Sequence, residues 1–207
     1  MHPLTLPQLY DVHDAILGNA RSLIADAELL ESKGRFARAF SLAVLACEEL
    51  AKSMFVNQAC VAVALGRDVD WTTLGLWLRQ HGRKLAVMRL LDVLSSPDDA
   101  RSTLFLEKVE SETLIAHPSE INIAKQDGFY VDISDDGTAI VPAEVVADGD
   151  ARAAIELAGR GLALFEEATH ETRHLLRKPQ HYAERVERIR VSLRPIIGQL
   201  KTMLGDN

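Results

Sequence analysis

Glu48, Glu49 and Lys52 stand inside SLAVLACEELAK, residues 41–52, a stretch otherwise made of apolar and small residues with no Gly or Pro. On a helix, Glu48 and Lys52 (four apart) and Glu49 and Lys52 (three apart) are surface neighbours. On an exposed face that is an ion pair worth about 0.3–0.5 kcal/mol. On a helix apolar nearly all round, desolvation costs each ion several kcal/mol unless further partners meet it. These charges therefore face water, form a pocket or close an interface. Helical spacing downstream runs Trp71, Leu74, Leu78, His81, Leu85, Met88, which puts His81 on a core-facing stripe with Lys84 beside it. A histidine there is ordinarily a hydrogen-bonded structural group. Glu49, Lys52, His81 and Lys84 taken together describe a polar pocket between two helices. In it Lys52 and Lys84 would hold a phosphate or carboxylate, His81 would move protons near neutral pH, and Glu49 would orient it.

A rival constellation is HETRH, residues 170–174, which fits the zincin pattern HExxH. His170 and His174 would share a helix face, with Glu171 as a base. A catalytic zinc site also needs a third ligand, and usually an edge strand to hold substrate. Neither is evident, so a metalloprotease is not expected, and His170 and His174 stay weak metal candidates. No glycine-rich phosphate loop, GxSxG elbow or paired CxxC occurs, and no cofactor is expected.

The elements that must position these groups read as helices. Thr5-Leu6-Pro7-Gln8 fits a capping box with Pro in the first turn. Leu9, Val12, Ile16, Ala20, Leu23, Ala27 and Leu30 then recur at helical spacing up to Gly34. A second helix, about 35–65, is apolar nearly all round and should be the central one. Asp70 caps a third, expected from Trp71 to about Leu94. A fourth stretch is interrupted at Pro118 and ends near Gly128. FYVDISDDGTAIVP reads as a short β-hairpin or extended flap near 129–141. A helix from Asp148 or Asp150 to about Arg177 follows, and a last one covers roughly 181–204. The fold class is all-α: residues 1–178 form one helical domain, and 179–207 a basic C-terminal helical extension packed on or beside it.

The 207 residues are 47% hydrophobic and 26% charged, with a formal net charge of −7. Residues 172–207 hold eight Lys and Arg against three acids, while residues 1–171 hold fifteen against twenty-seven. The acidic body argues against general nucleic-acid binding. The basic tail permits a local contact with RNA, or docks on its own acidic body. No run of 18 apolar residues and no signal-peptide pattern appears, so no membrane partner is expected. Cys47 and Cys60 fall on one helix roughly 20 Å apart, too far for a disulfide, which fits a reduced cytoplasmic protein.

Three segments carry a family resemblance. GRFARAFSLAVLACEELAK resembles the signature helix of the AbiV-type abortive infection proteins. RQHGRK is similar to their His-x-x-Lys element. AKQDGFYVD, followed by Pro142, is similar to their Phe-Tyr-Val-Asp segment. The order and spacing match across about residues 9–175. The resemblance implies a HEPN-like helical bundle, a homodimer and a toxin-like role in bacterial defence against phage. That role would be to bind a phage or host protein or RNA and arrest growth or translation. HEPN ribonucleases carry Arg, four to six residues, then His; no such pair exists here. Whether the chain is an enzyme stays open at this level. The alternatives are a non-standard ribonuclease using the Glu49, Lys52, His81, Lys84 group, and a non-enzymatic dimeric interaction module.

Overall fold

Thr5 and Gln8 start the first helix as their spacing demands. The Gln8 side-chain oxygen accepts the Thr5 backbone N–H and hydroxyl, each at 2.9 Å, and α1 runs Leu6–Ser32. The computed structural model describes residues 1–80, 84, 118–178 and 184. Among them follow α2 (Phe36–Ala64), α3 (Trp71–Trp77), α4 (Pro118–Asp127), β1 (Asp132–Ile133), β2 (Ala139–Ile140), α5 (Pro142–Val145) and α6 (Asp148–Leu176). The chain is an all-α bundle with one small hairpin. The strands pair antiparallel, Asp132 opposite Ile140 and Ile133 opposite Ala139. The expected helix at about 181–204, and the C-terminal extension with it, lies outside the described residues apart from Glu184.

Helices α1, α2 and α6 make the core. Leu9 packs with Phe55, Val56 and Cys60, while Ala27 packs with Ala43 and Ala154; α1 therefore runs antiparallel to α2. Ala43 meets Ala154 and Leu50 meets Leu162 and Phe165, so α6 runs parallel to α2. Helix α2 is the central element, with Ala43, Val44, Ala46, Cys47, Leu50 and Ala51 all fully buried. Gly34 and Gly66 end α1 and α2 at φ +68° and +64°. This left-handed conformation costs a residue with a Cβ and closes the helix C-terminus.

Two sequence expectations need correction. The buried stripe of α1 is Leu9, His13, Leu17, Ala20, Ile24 and Ala27, rotated from the one expected, and Val12 is exposed. The apolar arc of α1 is wide enough to admit either stripe. Packing against both α2 and α6 selects the one that takes His13 inside. The third helix stops at Trp77 instead of continuing towards Leu94. Asp70 caps it as expected, accepting the Thr73 N–H at 2.9 Å. Leu74 is buried and the Trp77 ring lies 5.5 Å from Phe55. Arg79 and Gln80 then face solvent, and both their N–H groups turn back to the Leu76 carbonyl. A helix this short persists only while it has an apolar face to bury. The four-residue α5, opened by Pro142 in its first turn, was not foreseen.

Candidate functional site

Glu48 lies on the buried side of α2 with only 2% of its surface exposed. One carboxylate oxygen is 2.7 Å from Lys125 Nζ and the other 3.0 Å from Lys84 Nζ. Both lysines are themselves buried. Each ion alone would carry a desolvation penalty of several kcal/mol; a carboxylate met by an ammonium at each oxygen offsets much of it. Lys125 comes from α4, and the same helix is held at a second point. Ser41, two turns before Glu48, has its hydroxyl 2.9 Å from the Lys125 carbonyl and 3.0 Å from the Ala37 carbonyl. Gly128, just past α4, sits so close to α2 that a Cβ there would lie 2.1 Å from Ser41 Oγ and 2.7 Å from the Ala37 carbonyl. No larger residue fits without displacing α4 from α2.

Glu49 and Lys52 form an ion pair with each other, and both are half-buried. One residue further along the helix means a turn of about 100°, so Glu49 points away from the direction Glu48 takes. The Lys84 ammonium, placed with Glu49 by sequence reasoning, lies against Glu48. His81 lies outside the described residues. Sequence reasoning singled out Glu48 but left it outside the pocket, and it did not select Lys125 or Ser41. A usable signal was present: a buried glutamate in an apolar helix requires a cation from elsewhere. Lys125 stands in AKQDGFYVD, one of the three segments singled out for other reasons. Glu48, Lys84 and Lys125 come one from each of those segments.

A second polar ensemble lines an open groove of about 560 Å³ between α1 and α6, walled by Asp14, Arg21, Glu166, Thr169, Arg173 and Arg177. Arg173 joins the two helices. Its guanidinium holds both Asp14 oxygens at 2.6 and 3.1 Å, donates to the Tyr10 carbonyl at 3.3 Å and lies 4.6 Å from the centre of the Tyr10 ring. Arg21 and Glu166 form a second, exposed bridge. His170 and His174 also line this groove, both exposed. Among the described residues no group of three or more His, Cys, Asp and Glu is arranged to hold a metal ion.

Beneath the groove wall, His13 is 1% exposed. The Thr169 hydroxyl donates to the Phe165 carbonyl at 2.6 Å, so it accepts from His13 Nε2, 3.5 Å away. That assigns the proton of the neutral ring to Nε2 and leaves Nδ1 as a buried acceptor without a partner among the described residues. Burial first, then the nearby Arg173 charge, lower the His13 pKa, against a smaller opposing effect of Asp14. Burial also raises the thiols: Cys47 to about 12 and Cys60 to about 11. Neither thiol is a nucleophile at neutral pH.

The accessible chemistry thus separates from the buried chemistry. Glu48 is saturated by two ammoniums and closed to solvent, an arrangement suited to holding three chain segments together. The groove presents guanidinium and imidazole groups to solvent, an arrangement suited to contact with a partner. No helix among the described residues is long and apolar enough to cross a membrane. Comparison with known proteins finds no matching curated protein and no matching solved structure. The sequence model of one family, described as AbiV (HEPN_AbiV), matches residues 8–163. That span is well over half of the chain and contains Ser41, Glu48, Lys84, Lys125 and Gly128, and on these grounds the chain belongs to the AbiV family of HEPN proteins.

Proposed function

We propose that this protein serves bacterial antiviral defence by abortive infection. It acts as a cytoplasmic homodimer that binds a phage or host component and so arrests growth or translation. The AbiV family match over residues 8–163 carries this reading. A binding mode is favoured over catalysis because the ions gathered around Glu48 are buried and engaged with one another. Such groups cannot exchange protons with a substrate without being uncovered. The α1–α6 groove, an accessible charged surface among the described residues, would meet the target.

The test is phage challenge of cells expressing the wild type, Arg177→Glu, Glu48→Gln or His81→Ala, with the amount and melting temperature of each protein measured in parallel. The wild type protects. Arg177→Glu, in an exposed side chain of the groove, loses protection without a change in melting temperature. Glu48→Gln loses protection only as far as it loses folded protein. Loss of protection in well-folded His81→Ala would instead favour the non-standard ribonuclease. A wild type that gives no protection against any phage tested would overturn the defence reading.

A further inference from the structure

Residues 126–151 contain seven acids and no Lys, Arg or His. The same stretch holds Tyr130 and Val131 at 65% exposure and Ile133 at 72%, with Val141 and Val145 at 38% each. Single exposed apolar residues are ordinary, but five within residues 130–145, on one hairpin and its following turn, have the make-up of an interaction surface, apolar groups rimmed by polar ones. The rim here is acidic: Asp132, Asp135, Asp136 and Glu144 are all exposed. The two strands are short, and among the described residues each pairs only with the other. A partner for this face needs apolar side chains flanked by cations.

The chain carries such a segment. In residues 185–204, Val186, Ile189 and Leu193 recur every three or four positions up to Pro195, and Ile197 and Leu200, with Ile196 beside them, continue the spacing beyond it. At helical spacing Arg185 and Arg188 border one side of that stripe and Arg190, Arg194 and Lys201 the other. The sequence pattern is an apolar stripe between two basic margins, the complement of an apolar patch with an acidic rim.

We propose that the acidic hairpin face is the docking site for the basic C-terminal segment, residues 185–204, of a second copy of this chain, so that two copies exchange tails. The second copy is preferred for a geometric reason. The hairpin leads through α5 into the start of α6, whereas the tail leaves from its end, about 43 Å away at 1.5 Å per residue. A tail folded back as a helix beside its own α6 would bring Arg185–Arg194 only part of that distance. In a two-fold pair with the α6 helices antiparallel, the end of one α6 lies beside the start of the other, and both tails meet hairpins. The inference rests on the homodimer proposed above and names its surface.

The test is sedimentation equilibrium of the full-length chain, with phage protection scored separately. The wild type sediments as a dimer that weakens as salt rises. Tyr130→Ser with Ile133→Ser weakens the dimer about tenfold or more while the melting temperature holds, because both side chains are exposed. Arg188→Glu with Arg190→Glu and Arg194→Glu weakens it to a similar degree. Adding Asp135→Arg, Asp136→Arg and Glu144→Arg to that tail variant restores pairing. Hairpin and tail variants that dimerise as tightly as the wild type would overturn the inference and leave the dimer standing. A wild type that is monomeric at every concentration yet protects cells would overturn both exchange and dimer and leave the defence role standing.

Discussion

Glu48 shows how one residue can hold three parts of a chain. Its two oxygens are met by ammoniums from two other segments, so losing one lysine leaves a one-to-one pair, whereas losing the carboxylate leaves two buried ammoniums unanswered by it. Glu48→Gln should destabilise the fold by about 3–5 kcal/mol, the range for breaking a buried pair from one side. The Glu49–Lys52 pair, half-exposed on the same helix, should contribute under about 1 kcal/mol, and Lys52→Met should fall in that range. Urea unfolding of both variants beside the wild type separates the two roles. His13 makes a second residue-level prediction. Its folded pKa lies below its unfolded value of about 6.5, so the unfolded chain binds the extra proton. Its contribution to stability is complete above about pH 6.5 and is lost as pH falls towards the depressed folded pKa. His13→Leu should flatten the acidic limb of a plot of melting temperature against pH; an unchanged limb would show that other groups govern it. The two thiols, buried and raised to about 12 and 11, should stay unreactive towards a thiol reagent at pH 8 until the protein unfolds.

At the scale of elements, α4 depends on a close approach and α3 on a short apolar contact. Gly128→Ala would press a methyl group onto Ser41 Oγ and the Ala37 carbonyl, and should cost about 1–3 kcal/mol as over-packing. Ser41→Ala tests the other side of that contact by removing the hydroxyl that reaches the Lys125 carbonyl. Its effect should be smaller, about 0.5–1.5 kcal/mol, the net worth of a typical hydrogen bond, and should not add to that of Gly128→Ala, because the two share one contact. A double-mutant cycle by thermal unfolding measures this. Full additivity would mean that α4 docks elsewhere.

At the scale of the whole molecule, three helices carry the core of the described residues, and α3, α4 and α5 attach to α2. Native-state hydrogen exchange should therefore be slowest in the middle of α2, where Val44, Cys47 and Leu50 are fully buried. Without a docked tail it should be fast in the β1–β2 hairpin, whose strands are exposed and short, because opening free energy follows the buried contacts that must be broken. Hairpin amides protected as strongly as those of α2 in the full-length protein would indicate that the hairpin is covered, as tail exchange requires. Such protection should disappear with Tyr130→Ser and Ile133→Ser.

Much of this arrangement is written locally. Helical periodicity, the Thr5–Gln8 start, the Gly34 and Gly66 stops, the Asp70 cap and the Asp-Asp-Gly turn each act within a few residues, so their consequences are legible one segment at a time. The central place of α2 follows from its apolar character all round. The three segments that resemble the AbiV proteins were legible in the same way, as strings in a given order. Which side of α1 is buried was not, because two neighbouring stripes are nearly equivalent until α2 and α6 pack against them. Nor was it legible that Lys84 and Lys125 share the carboxylate of Glu48, or that Glu49 stays with Lys52. Those pairings join residues up to 77 positions apart and turn on which of two adjacent glutamates faces the incoming lysines. A rotation of about 100° on one helix decides that, and only the packed tertiary structure sets it.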